Sequence, residues 1–212
     1  MRISTRLDKA PIYRGFFLVP GATVSIFDAM KGSRMRRKKK ILTICGSTRK
    51  SSTNLNLINA IRNLYADFAE VDTFEGLSEI PHFNPDLDND TPPKNVLDFR
   101  EQLKQADGIL ICTPEYAMGV PGTLKNAIDW TVSSMEFSHK PVALITASTA
   151  GHKAHHSLME TLRVIEADIP STSQLVISHV RTKLQGDNIV DVDTLNQVKN
   201  VVDSLIDAMP NK

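Results

Sequence analysis

The chain has 212 residues and a mass of 23.5 kDa, room for one domain built around a single core. Hydrophobic residues make up 41% and charged residues 23%, ordinary for a globular protein, and no run approaches the roughly 18 apolar residues of a membrane span. The net charge of +1 hides an asymmetry: residues 1–40 carry 11 Lys/Arg against 2 Asp/Glu, and the rest of the chain 14 against 22.

That contrast separates the first residues from the remainder. Residues 15–30 are the most apolar stretch there, but Pro20, Gly21 and Asp28 interrupt it and no small-residue cleavage site follows. Residues 1–34 are expected to be an N-terminal extension without a fold of its own, with one domain over residues 35–212. The run Arg36-Arg37-Lys38-Lys39-Lys40 has two readings, a nucleic-acid or targeting arm and a solvated lead-in to the first strand; Met35 directly before it favours the lead-in. No nucleic-acid partner and no membrane partner is expected.

From Ile41 the chain alternates strand and helix. Ile41–Cys45 is an apolar run ending at Gly46. Leu55, Ile58, Ile61, Tyr65 and Phe68 recur at helical spacing behind Ser52 or Thr53 as N-cap. Val71–Phe74 is a weak second strand, and residues 75–93 are expected to form a long loop. Val96, Phe99, Leu103 and Ala106 mark a helix opened by Pro92 and Pro93. Gly108–Thr113 is a strong third strand. Pro121 suits the first turn of a helix carrying Leu124, Ile128 and Val132. Val142–Thr146 is the fourth strand, Ala154, Leu158, Leu162 and Ile165 trace the next helix, and Leu175–Ile177 makes a fifth strand. Val198, Val202, Leu205 and Met209 close the chain as a helix. Strands that are apolar throughout, each followed by a helix, predict an α/β fold with a doubly wound parallel sheet covered on both faces. Five such strands fit the flavodoxin-like order 2-1-3-4-5, in which ligands bind beyond the carboxyl ends of strands one and three.

Three loops reach that edge. The first, Gly46 to Asn54, offers hydroxyls at Ser47, Thr48, Ser51, Ser52 and Thr53, the Asn54 amide, and the cations Arg49 and Lys50 at a helix start. That is a phosphate-binding composition, with a simple polar capped turn as the alternative. It contains neither GxxxxGK[ST] nor GxGxxG. The second, Thr113 to Gly122, presents Tyr116 as an aromatic face between stiff prolines; a rigid turn with Tyr116 half buried is the other reading. The third is Ala147 to Lys153.

Taken together, the first two loops resemble the NADPH-dependent FMN reductase family, whose marks are G-S-x-R-x-x-S-x-N and P-E-Y-N-x-x-x-P-G-x-L-K-N-A-I-D-W. This chain has Gly46, Ser47, Arg49, Ser52 and Asn54 for the first. For the second it has Pro114, Glu115 and Tyr116, then Pro121 and Gly122, then Leu124 through Trp130. Leu77, Ile80, Pro81 and Phe83, and the Ala106-Asp107-Gly108 lead-in, are also similar, so the resemblance spans roughly residues 40–209. It implies bound FMN and a nicotinamide donor, NADPH or NADH. Ser47, Arg49, Ser52, Thr53 and Asn54 would hold the phosphate. Pro114, Glu115, Tyr116 and Ala117 would line the ring, with Ser148 and Gly151 on its other side. Hydride would pass directly to the flavin, so no catalytic side chain is expected; a small electron acceptor such as a flavin, quinone, azo compound or metal oxyanion would then use the same face. A flavodoxin-type single-electron carrier is the alternative, and Arg49 speaks against it. Two departures stand out: Ala117 replaces the usual Asn, and Gly151 is the only glycine of the third loop.

The resemblance also implies a homodimer or homotetramer through the helix with Lys125, Asp129 and Trp130, with Trp130 beside the apolar stripe where a monomer leaves it near water. Cys45 and Cys112 lie in apolar runs and read as buried reduced thiols, which fits the cytoplasm. No metal site is expected. His152, His155 and His156 read as solvated helix-start residues. Asp86, Asp88 and Asp90 open like a calcium loop, but Thr91 and Leu97 stand where Gly and Glu are needed.

Overall fold

The computed structural model describes residues 37–210; the extension expected over residues 1–34 lies outside the described residues. Strands β1 (Lys39–Cys45), β2 (Ala69–Thr73), β3 (Gly108–Thr113), β4 (Val142–Ala147) and β5 (Gln174–Ile177) pair in parallel in the order β2-β1-β3-β4-β5. This is the flavodoxin-like sheet that the apolar runs predict. The helices are α1 (Thr53–Tyr65), α2 (Lys94–Gln105), α3 (Gly122–Asp129), α4 (His152–Val164) and α5 (Val192–Ala208).

Alternate residues of each strand feed two cores. Leu42, Ile44, Ile109, Ile111 and Leu144 pack under α2, α3 and α4, whereas Ile41, Cys45, Leu110, Cys112 and Ile145 pack under α1 and α5. Every residue of β3 and β4 is buried, each large apolar one contributing about 1.5–3 kcal/mol. The central strands are therefore a fixed base for the loops at their carboxyl ends.

Several segments differ from expectation for physical reasons. The stretch after β2 is more than a loop: 3-10 turns at Leu77–Glu79 and Pro85–Leu87 bring Leu77 and Ile80 into the core. Phe68 lies past the end of α1 and is exposed, and Val132 lies past the end of α3 and is 54% exposed, so neither belongs to its helix's apolar stripe. A small hairpin, β6 (Leu184–Gln185) and β7 (Asn188–Ile189), adds to the fold.

Trp130 is corrected most. Its side chain is wholly buried, its Nε1–H donates to the Pro81 carbonyl at 2.8 Å, and its ring stands edge-on to Phe83 with centroids 5.1 Å apart. It is a core residue, since the turn after α3 folds it inward beneath the Pro81–Phe83 segment. Its carbonyl accepts from Arg100, which pairs at 2.7 Å with Asp88, itself held by Ser133 Oγ at 2.6 Å. Asp88 thus belongs to a buried ion pair. Lys125 and Asp129 form an exposed pair one helical turn apart, at 2.5 Å.

Of the basic run, Arg36 lies outside the described residues, and Arg37, Lys38 and Lys39 make contacts within the fold. Lys38 Nζ donates to the Ala66 carbonyl at the end of α1. Lys39 Nζ donates to the Ile206 and Met209 carbonyls closing α5, where a cation meets the negative end of the helix dipole. Arg37 pairs with buried Asp107 at 2.8 Å. The run is the expected solvated lead-in to β1, with Arg37 and Lys38 exposed, and its side-chain ends also tie down the ends of α1 and α5.

Candidate functional site

At the end of β1 the chain turns sharply over β3. The Gly46 N–H donates to the Cys112 carbonyl at 2.8 Å, and a Cβ on Gly46 would overlap the Thr113 side chain. Only glycine fits this approach, and it sends residues 47–52 over the switch point between β1 and β3. Ser52 is the N-cap of α1, its hydroxyl accepting from the Leu55 N–H at 3.5 Å. The Arg49 N–H reaches Ser47 Oγ at 3.5 Å while its side chain stays exposed. Asn54 is buried. Its Nδ2 donates to the Ala147 carbonyl at 3.0 Å, but its Oδ1 has no partner among the described residues. An unpaired buried carbonyl costs about 1–3 kcal/mol, which an incoming hydrogen-bond donor would recover.

The opposite wall follows β3. Tyr116 and Gly119 exchange backbone hydrogen bonds of 2.8 and 2.9 Å across a two-residue turn. Ala117 (φ 47°) and Met118 (φ 64°) occupy it in left-handed conformations. Tyr116 is about half exposed. Glu115 Oε2 accepts from the Ala154 N–H in the first turn of α4 at 2.9 Å. Gly151, at φ 104°, is the N-cap of α4 and has no side chain to do this; a Cβ there would press on Val176 and Thr146.

A third wall joins the loop after β4 to the one after β5. The Val180 N–H donates to the Ser148 carbonyl and the His179 N–H to the Thr149 carbonyl, both at 3.2 Å. The three walls enclose a cleft of about 280 Å³. Of the residues singled out from the sequence, Ser47, Arg49, Ser52, Thr53, Asn54, Pro114, Glu115, Tyr116 and Ser148 all line it. Ala117 and Gly151 do not: their positions shape the backbone behind the walls. His179, Arg181 and Thr182, which sequence reasoning missed, complete the lining. They follow a short, half-buried strand and carry no motif, so nothing but the fold brings them there.

The histidines at the start of α4 divide. His152 and His156 are exposed. His155 is not the solvated residue expected, because its Nδ1 meets Thr146 Oγ1 at 2.9 Å and its Nε2 meets Gln174 Oε1 at 3.3 Å. Burial holds its pKa below the ordinary value, and positive charge on His152 or His156 acts the same way. Cys45 and Cys112 face each other across β1 and β3, both buried and unbridged. Burial pushes both thiols up and makes them poor nucleophiles. Among the described residues no helix is long and apolar enough to cross a membrane.

The cleft has hydroxyls, Arg49 and a helix start at its α1 end and the half-exposed Tyr116 ring on its opposite wall. The family described as NADPH-dependent FMN reductase matches residues 39–182. A quinone reductase of Escherichia coli (strain K12) is 30% identical over 172 residues, covering 77% of this chain and 92% of the relative. A 2-hydroxy-1,4-benzoquinone reductase of Burkholderia sp is 31% identical over 173 residues, with the same coverage. The structure of FerB, a flavoenzyme NAD(P)H:(acceptor) oxidoreductase from Paracoccus denitrificans, superposes with a TM-score of 0.71 at 27% identity, covering 80% of this chain and 96% of that one. With the sheet order, the two loops and these matches in agreement, the chain belongs to the NADPH-dependent FMN reductase family.

Proposed function

We propose that this chain binds FMN in the cleft between Asn54 and Tyr116 and couples oxidation of NAD(P)H to reduction of a quinone-class acceptor. Family membership makes it an FMN-dependent NAD(P)H oxidoreductase. The observation that carries the site is the Asn54 amide: one end is fixed to β4, and the other is a buried acceptor without a donor among the described residues. A sugar-alcohol hydroxyl is such a donor, and the α1 terminus beside it suits the phosphate that the same cofactor carries.

Bound FMN supplies hydride acceptance and release, chemistry that no amino-acid side chain offers. The net reaction is NAD(P)H + H⁺ + quinone → NAD(P)⁺ + hydroquinone. Arg49, the hydroxyls of Ser47, Ser52 and Thr53, and the free N–H groups of the first helical turn neutralise the phosphate. Pro114 and Glu115 form the ring wall, held rigid by the tie from Glu115 to α4, with Ser148 opposite. Tyr116 supplies an aromatic edge at the mouth. The relatives named quinone reductases support the acceptor class. The buried, unbridged thiols support a cytoplasmic location. Use of the basic run as helix clamps supports small-molecule partners over nucleic acid. Assembly into a homodimer or homotetramer would run through the surface around α3, and a chain beginning at Met35 should keep its flavin and its melting temperature.

Arg49→Ala tests the site. It should weaken FMN binding by about 1.5–3 kcal/mol, the value of a hydrogen bond to a charged group, and scarcely change the binding of riboflavin, which lacks the phosphate. Equal losses for both ligands would remove Arg49 from the phosphate.

A further inference from the structure

The loop between β1 and α1 has two faces. Beyond it, on the β2 side, lies a second cleft of about 400 Å³, within the range of small-ligand sites. Ser52, Thr53 and Asn54 face only the first cleft, Thr48 and Lys50 face only the second, and Ser47 and Arg49 border both. A single turn of chain is thus the wall between two adjoining sites.

The second cleft is built of different materials. Leu55, Phe74 and Leu77 form an apolar side, and the latter two are nearly fully buried, with Phe74 packed on Phe99 at a centroid distance of 4.7 Å. The Arg62 guanidinium is fixed by three acceptors: the Val71 carbonyl at 2.9 Å, Asn59 Oδ1 at 2.9 Å and Thr73 Oγ1 at 2.6 Å. Glu75 stands exposed just after β2. Lys50 is exposed on the shared loop, and among the described residues neither it nor Arg49 has an ion-pair partner.

We infer that this second cleft takes the adenosine half of the nicotinamide donor, an inference that rests on reading the first cleft as the flavin site. A dinucleotide has two ends joined by a pyrophosphate. One end must enter the first cleft to react, and the other needs an apolar slot within reach across the loop. Leu55, only partly buried, supplies the open apolar surface of that slot for the adenine, over a floor formed by the edges of Phe74 and Leu77. The pyrophosphate then crosses the loop at Arg49 and Lys50. Two cations are needed there, because one phosphate already sits against Arg49 on the other side. Glu75, at the carboxyl end of β2, is placed to accept from ribose hydroxyls, as an acidic residue does in dinucleotide folds.

ADP-ribose, which lacks the nicotinamide, is the probe. Titrated calorimetrically into the FMN-loaded full chain, it should bind without releasing flavin and should compete with NADH in turnover. Lys50→Glu, measured in the presence of saturating added FMN, should raise both the ADP-ribose Kd and the NADH KM at least about tenfold, the scale of one charge-assisted hydrogen bond. The milder Lys50→Gln should show a smaller rise in the same direction. A flavin-loaded, NADH-oxidising protein that does not bind ADP-ribose, or binds it equally well in both variants, overturns the second site and leaves the first standing. A chain that never holds FMN brings down the reading of the first cleft, and this inference with it.

Discussion

The Glu115 carboxylate, at the end of β3, accepts a 2.9 Å hydrogen bond from the backbone N–H of Ala154 in α4. It supplies the cap that Gly151 cannot, and it puts a negative charge at the positive end of the helix. One contact thereby joins two walls of the cleft. Glu115→Ala should cost about 1 kcal/mol of stability, as loss of a cap does, and should weaken FMN binding because the walls separate. Glu115→Gln keeps an acceptor and should lose only the charge–dipole part, about 0.3–1 kcal/mol. Thermal unfolding of the two flavin-free variants checks this, and an alanine variant as stable as the native chain would show that the cap contributes nothing.

His155 gives the fold a pH dependence of known sign. Its ring is partly buried, which lowers its pKa below the ordinary 6.5. On acidification the unfolded chain therefore takes up this proton before the folded one does, and stability falls as pH drops below about 6.5 toward the lower folded value. Above that range both states are neutral and the effect vanishes. His155→Gln removes the titrating group, so the difference in melting temperature across about pH 6.5 should shrink relative to the native chain. An identical pH profile in the variant would show that the acid sensitivity comes from other groups.

Much of this was legible from local pattern, because strands buried on both faces must be apolar along their whole length, as Gly108–Thr113 is. The phosphate-type loop was legible for a similar reason: Ser52 has to cap α1, and Gly46 has to clear Thr113. What stayed hidden depends on distant partners. The burial of Trp130 is decided by the Pro81 carbonyl, 49 residues away, and it lies past the end of α3, where helical periodicity no longer assigns a face. The His179–Thr182 turn lines the cleft through backbone bonds to Ser148 and Thr149, which no side-chain pattern encodes. Only the β6–β7 hairpin left a usable signal, Gly186-Asp187 between two short paired segments.

Ala117 marks a stability defect in the turn beyond the cleft. Left-handed backbone costs an L-residue about 1–2 kcal/mol, a cost glycine avoids and asparagine tolerates. Ala117 and Met118 both adopt it, and Asn-Gly is the favoured pair for such turns. An Asn at this position would fit that backbone conformation better than Ala117 does. Ala117→Asn should stabilise the flavin-free protein by about 0.5–1 kcal/mol, and adding Met118→Gly should stabilise it further. Chemical denaturation of the flavin-free chains decides the matter: no gain there, with tighter FMN binding instead, would return the Asn to a role in contacting the cofactor.

Assembly through α3 has to be argued from different residues once Trp130 is placed in the core. The large apolar side chains left open beside this helix are Val132 and Met135, 54% and 58% exposed, in the turn that follows it. They follow the exposed Lys125–Asp129 pair of α3 in the chain, and exposed apolar side chains near charge are the composition of an interface centre and its rim. Both lie outside the packed core, so replacing each by Asp should change the stability of the subunit by no more than about 0.5 kcal/mol each. If the surface is an interface, the double variant Val132→Asp, Met135→Asp should sediment as a smaller species than the native chain at equal concentration. Trp130→Ala should behave in the opposite way, losing about 3–5 kcal/mol of stability from the emptied core without a specific change in the size of the folded species. A double variant that sediments like the native chain would place the interface elsewhere on the molecule, or show that the protein acts as a monomer.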